Sequence, residues 1–140
     1  MGEAPWVTWL GDDFTGSAAV LEVLQFAGLP SVLFTDIPSP DLAARFVDCL
    51  GVGIATTARS HDPAWMAQHL PPLFGWLDDL GAPILHYKIC STFDSAPDTG
   101  SIGAAIEIGL QLRPVRAVPL LTAAPQMRRY QAYGHLFAGT

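Results

Sequence analysis

Positive charge is scarce in this sequence: seven lysines and arginines stand against thirteen aspartates and glutamates, leaving a net charge of −6. Proteins that grip nucleic acid carry a basic stripe, and the one basic doublet, Arg128-Arg129, is too little to make one. Cysteine is scarcer still. Cys49 and Cys90 lie far apart, whereas a disulfide framework needs several cysteines at tight spacing in a secreted chain. No apolar run is long enough to span a bilayer. The opening Met1-Gly2-Glu3-Ala4-Pro5 has no basic segment leading into an apolar stretch, so it does not read as a secretory signal. Neither of the two glycine-rich phosphate-binding fingerprints occurs, which places a nucleotide-cofactor dehydrogenase last among the candidate functions. His61, His69, His86 and His135 are scattered rather than set at metal-ligand spacing. These absences predict a cytoplasmic protein with no nucleic-acid, membrane or metal partner.

What is present is apolar. Half of the 140 residues are hydrophobic, 14% are charged, and the mean hydropathy is +0.31. A chain of this size builds one core without a disulfide or metal staple, burying roughly 68–70% of its unfolded surface. Two sources account for the apolarity, and both are expected: strands buried on both faces of a parallel sheet, and a surface covered by something else. A second copy of the chain is one candidate for that cover.

Short apolar runs alternate with amphipathic stretches. Strands are predicted over residues 6–10, 31–34, 51–55, 83–87 and 115–121, with a further strand-like stretch at 133–137. Helices are predicted over 17–27, 41–50 and 101–112. Another starts at Asp62-Pro63, an N-cap followed by a first-turn proline, and Pro71-Pro72 should kink it or break it in two. This rhythm predicts an α/β fold: a mostly parallel sheet with helices on both faces, Rossmann-like and three-layered. The sheet is read as incomplete at the C-terminus, because nothing follows Gly139-Thr140 to close it. Ligands of such sheets sit beyond the carboxyl ends of the strands, which directs attention to the loops there.

The first such loop is Gly11-Asp12-Asp13-Phe14-Thr15-Gly16-Ser17. Adjacent carboxylates on extended backbone point different ways, so one can face a ligand while the other caps the helix. A carboxylate there can accept hydrogen bonds from sugar hydroxyls or act as a base, and the free N–H groups of the helix start suit an anion. The same pair also serves as plain turn and cap residues, and spacing leaves both roles open. The second loop runs from Lys88 through Cys90, Ser91, Thr92 and Asp94 to Gly100-Ser101-Ile102-Gly103. Lys88 at a strand end either meets an anion or extends its head into water. Ser91 and Thr92 supply hydroxyls. Arg59-Ser60-His61 and the Arg128-Arg129-Tyr130-Gln131 group suit carboxylate or phosphate, or a solvated loop, equally well.

Three blocks in order carry a resemblance: Leu10-Gly11-Asp12-Asp13-Phe14-Thr15-Gly16, then Tyr87-Lys88-Ile89-Cys90-Ser91-Thr92 with Gly100-Ser101-Ile102-Gly103, then Arg129-Tyr130-Gln131 with Gly134. Together they resemble the four-carbon acid sugar kinase family, whose members join a sugar-binding N-terminal domain to a nucleotide-binding C-terminal one. The chain departs from the usual pattern at Cys90, where many members carry Asp, at Phe93-Asp94-Ser95, which replaces Leu-Arg-Gly, and at Arg128 to Gln131. The resemblance implies ATP-dependent phosphorylation of a hydroxyl on a tetronate or 3-oxo-tetronate. It implies that Asp12 and Asp13 hold or polarise sugar hydroxyls, that Arg59 and Lys88 neutralise the acid's carboxylate, and that Ser91 and Thr92 add hydrogen bonds. Thr15 and Arg129 join the substrate-binding set through the first and third blocks. No catalytic base is assigned.

On this reading residues 1–140 form a partial sugar-acid-binding domain, with ATP and Mg²⁺ held by an absent C-terminal domain, the missing half being a separate nucleotide-binding chain if it is made apart, and the chain inactive alone. The alternatives are a non-catalytic α/β module binding a small anion or a partner, and a truncated remnant without function.

Overall fold

A computed structural model describes residues 3–139; Met1, Gly2 and Thr140 lie outside the described residues. Four strands form a parallel sheet in the order β2-β3-β1-β4, with β1 at Val7–Gly11, β2 at Ser31–Phe34, β3 at Gly51–Ala55 and β4 at Ile84–Lys88. Four helices accompany them: α1 at Phe14–Phe26, α2 at Pro40–Ala44, α3 at Pro63–Asp79 and α4 at Ile102–Leu112. The expected α/β architecture is therefore present.

Strand alternation sorts the side chains onto two faces. Leu10, Val52 and Ile54 point to one face, where they pack with Met66, Leu70, Phe74 and Leu77 of α3 and with Ala105 and Ile108 of α4. Trp9 points to the other, donating its indole N–H to the Ser17 carbonyl of α1 at 3.3 Å. That face is paved with glycine for a steric reason. A Cβ on Gly53 would stand 2.0 Å from the Trp9 ring, and one on Gly51 would stand 2.9 Å from Leu24 of α1. Helices thus cover both faces, and Trp9 is fully buried between sheet and helix.

The helix starts follow their caps. Asp13, Ser39, Asp62 and Ser101 each accept a first-turn backbone N–H, at α1, α2, α3 and α4 respectively. Three expectations are corrected. The helix predicted over 41–50 is confined to Pro40–Ala44, after which Arg45, Phe46 and Cys49 bond three residues back and the chain tightens toward Leu50, whose N–H meets the Pro30 carbonyl. Pro71 and Pro72 do not divide α3, because Met66, Leu70, Phe74 and Leu77 keep one continuous buried face across them. Residues 115–121 form no strand: Val115, Val118, Leu120 and Leu121 are exposed, Pro119 has no N–H to donate, and among the described residues β4 pairs with β1 alone. The stretch at 133–137 belongs instead to an antiparallel hairpin, β5 at Arg129–Ala132 and β6 at His135–Ala138.

Candidate functional site

The parallel register brings three strand ends level: Gly11 pairs with Ala55 on one side and with Lys88 on the other. The loops that leave them are tied together by backbone hydrogen bonds. Asp12 N–H donates to the Lys88 carbonyl at 3.0 Å, Arg59 N–H to the Asp12 carbonyl at 3.1 Å, and Thr56 N–H to the Gly11 carbonyl at 2.9 Å. The long loop after β4 is pinned at its far end as well, where Gly100 N–H donates to the His61 carbonyl at 2.8 Å. Gly100 adopts φ +59, and a Cβ there would stand 2.5 Å from the Arg59 carbonyl oxygen. Only glycine fits that approach.

The adjacent carboxylates divide their work. Asp13 caps α1, accepting from Gly16 N–H at 2.6 Å, and its other oxygen lies 3.4 Å from Arg59. Asp12 turns inward and is 4% exposed. Its Oδ2 accepts from Cys90 N–H at 3.4 Å, while its buried Oδ1 has no hydrogen-bond partner among the described residues. Burial pushes the Asp12 carboxyl up to about 6; the Asp13 charge adds to that, and the Cys90 N–H, Lys88 and Arg59 oppose it.

Arg59 is the hub. Its guanidinium reaches Asp13, lies 3.1 Å from the Thr92 hydroxyl, and forms an ion pair with Asp94. Thr92 donates to Asp94 at 2.6 Å. The Thr92 hydrogen bond and the Arg59 guanidinium hold the Asp94 carboxyl below its ordinary range, and Asp94 in turn raises Arg59. Lys88 donates to the Ile89 carbonyl, and its ammonium lies over the first turn of α1, 3.3 Å from where a Gly16 Cβ would stand.

Of the residues singled out in the sequence, the structure gathers Asp12, Asp13, Arg59, Lys88 and Thr92. Ser91 is half-buried in the same loop, and Thr15 is exposed in the first turn of α1. Arg129 is elsewhere: its backbone pairs with Ala124 and Ala138 in the hairpin. Asp94 and the Cys90 N–H are site members that the sequence does not flag. Asp94 sits in a Ser/Thr/Asp loop whose composition reads as ordinary turn chemistry. Among the described residues, no group of three or more His, Cys, Asp or Glu side chains is placed to hold a metal ion. No helix among them is long and apolar enough to cross a membrane.

The cluster joins hydroxyl-accepting carboxylates to two cations at the carboxyl edge of a parallel sheet, a combination suited to a polyhydroxylated anion. Residues 7–140 match the family model of the sugar-binding N-terminal domain. The chain is 48% identical to a 3-oxo-isoapionate kinase of Paraburkholderia graminis over 132 residues, 94% of this chain and 28% of that protein. It is 32% identical to a 3-oxo-tetronate kinase of Pseudomonas fluorescens over 133 residues, 95% of this chain and 30% of that one. The chain thus spans less than a third of the length of these relatives. A crystal structure from Salmonella typhimurium LT2, assigned provisionally to a tRNA synthase, superposes with a TM-score of 0.84 at 26% identity, over 97% of this chain and 32% of that one. With the match running nearly end to end, the chain belongs to the four-carbon acid sugar kinase family, as its sugar-binding N-terminal domain.

Proposed function

We propose that this chain is the substrate-binding part of an ATP-dependent kinase that phosphorylates a hydroxyl of a small sugar acid, of the tetronate, 3-oxo-tetronate or 3-oxo-isoapionate type. The observation that carries the reading is the buried, unpartnered Oδ1 of Asp12 beside Asp13, Arg59 and Lys88. A buried polar atom without a partner is costly, and a substrate hydroxyl donating to it removes that cost. The names of the relatives support the substrate class.

In this reading Asp12 accepts the hydrogen bond of the hydroxyl that is to be phosphorylated. With its carboxyl at about 6 it is ionised at neutral pH, yet basic enough to share the departing proton. Asp13 holds a neighbouring hydroxyl while capping α1. Lys88 and Arg59 face the acid's carboxylate, and Ser91, Thr92 and Thr15 supply further hydrogen bonds. Arg129 joins this set only if the hairpin moves toward it. Phosphoryl transfer depends mostly on positioning and charge stabilisation, and positioning is what these residues offer.

The chain's own residues do not fit the nucleotide. Neither glycine-rich phosphate loop is in the sequence. We therefore place ATP and Mg²⁺ in the part of the relatives' length that this chain does not span, and ATP supplies the phosphoryl group. The test is calorimetric titration of the purified chain with four-carbon sugar acids and, separately, with ATP-Mg. Binding of the acid without ATP is expected. A folded chain that binds no sugar acid overturns the reading and favours a partner-binding module.

A further inference from the structure

Asp94 stands where the proposed substrate chemistry has no need of a carboxylate. Its Oδ2 accepts from the Thr92 hydroxyl at 2.6 Å and from the Arg59 guanidinium, so one oxygen rests in a cradle of two donors. That cradle is what a bound carboxylate requires. A cleft of about 480 Å³ opens beside it, lined by Arg59, Phe93, Asp94, Ser95, Ala96 and Thr99. Arg59 is the one cation of that lining and Asp94 the one anion, and they are paired with each other.

Two features show how the loop reaches this arrangement and how it can leave. Phe93, the residue before Asp94, adopts φ 60, a left-handed conformation that is unfavourable for a bulky side chain. The loop is thus held against local backbone preference at the residue next to Asp94. The Asp94 side chain is also 61% exposed, so it moves into water with little change in solvation, whereas Arg59 at 32% is held by Asp13 from the other side.

We propose that Asp94 is an internal competitor for the substrate carboxylate: it fills the Arg59–Thr92 cradle in this structure, and the sugar acid displaces it on binding. This rests on the assignment of Arg59 to the acid's carboxylate made above. Asp94 is then a specificity-determining residue. It sets a threshold that a carboxylate must exceed, and it leaves the binding of a neutral polyol unaffected.

The experiment is calorimetric titration of the natural chain and Asp94→Asn with erythronate and threonate, and with erythritol as the neutral control. The substitution keeps an acceptor oxygen and removes the charge. Losing one exposed ion-pair partner changes an equilibrium by about two- to fivefold, so the variant should bind the acids tighter by about that factor, with erythritol unchanged. In the natural chain, the Asp94 carboxyl followed by carbon-13 NMR should titrate at higher pH when either acid is saturating, as Arg59 and Thr92 leave it. Acid binding to the variant that is equal or weaker overturns the competitor role while the sugar-acid reading stands, as does an Asp94 titration unmoved by bound acid. Failure of both folded chains to bind either acid overturns both proposals together.

Discussion

Replacing Asp12 with Asn should make the protein more stable at neutral pH and leave it unable to serve a hydroxyl. The carboxyl is 4% exposed and lifted from 3.8 to about 6 in the folded chain. Below about pH 4 it is protonated in folded and unfolded chains alike, and nothing is lost. As the pH rises from there to about 6, the unfolded chain sheds its proton first and stability falls. Above that range the full penalty is in force. A lift of this size corresponds to about 3 kcal/mol. Asn keeps the acceptor for the Cys90 N–H but places an NH₂ where Oδ1 has no partner, which returns about 1 kcal/mol. The net gain expected for Asp12→Asn is about 2 kcal/mol at pH 7.5, shrinking toward zero or reversing near pH 4.

Urea unfolding of the two proteins across that range measures the difference directly, and heat unfolding at pH 7.5 should show a rise of roughly 4–8 °C. Sugar-acid titration supplies the second half of the prediction, since Asn offers no anionic acceptor for the substrate hydroxyl and binding should fall at least tenfold, a loss of about 1.4 kcal/mol. A variant that is less stable at pH 7.5, or whose stability difference does not vary with pH, refutes the argument that Asp12 is a strained, desolvated carboxylate. A variant that is stabilised but binds as well as the natural chain separates the electrostatic argument from the functional one and refutes only the latter.

Other positions test the frame around the site. Gly53→Ala should cost about 3 kcal/mol in urea unfolding, because the new methyl would meet the Trp9 ring and α1 would be pushed off the sheet. Gly100→Ala combines a left-handed φ with a backbone clash at Arg59, so both unfolding stability and sugar-acid affinity should drop; retention of affinity would detach the loop after β4 from binding. Asp13→Ala removes the α1 cap and one partner of Arg59, with an expected loss of about 1 kcal/mol in unfolding, and calorimetry should show weaker acid binding in the same variant.

The elements that the sequence reveals well are those whose causes are local. The strand predictions at 31–34 and 51–55 coincide with β2 and β3 because each is a short apolar run closed by turn residues or glycine. The starts of α3 and α4 follow from caps written in the sequence at Asp62 and Ser101. Residues 115–121 show the limit of the same reasoning. Their apolar pattern suits a strand, yet a strand exists only where a partner edge receives it, and no property of those residues says whether β4 does. The hairpin was half visible for a related reason. Its two-residue turn is Tyr133-Gly134, both left-handed at φ 52 and 77, and a tyrosine in the first position hides a turn that Asn-Gly would have announced.

The site divides along the same line. That one carboxylate of Asp12-Asp13 would cap a helix is legible from the pair and the helix that follows, but which one is buried is decided by β3 and β4 closing on either side of β1. The flush register at Gly11, Ala55 and Lys88 then makes residues far apart in sequence neighbours, since each loop leaves the sheet at the same level. Asp12, Arg59 and Thr92 meet for that reason and not through any spacing between them. Arg129 has no such register to bring it in: its strand pairs within its own hairpin rather than with the parallel sheet. Its place in the proposed binding set therefore depends on the hairpin docking over the loops. Arg129→Ala measures this directly, because an unchanged affinity for sugar acids would confine the binding set to the three loops that the parallel register holds together.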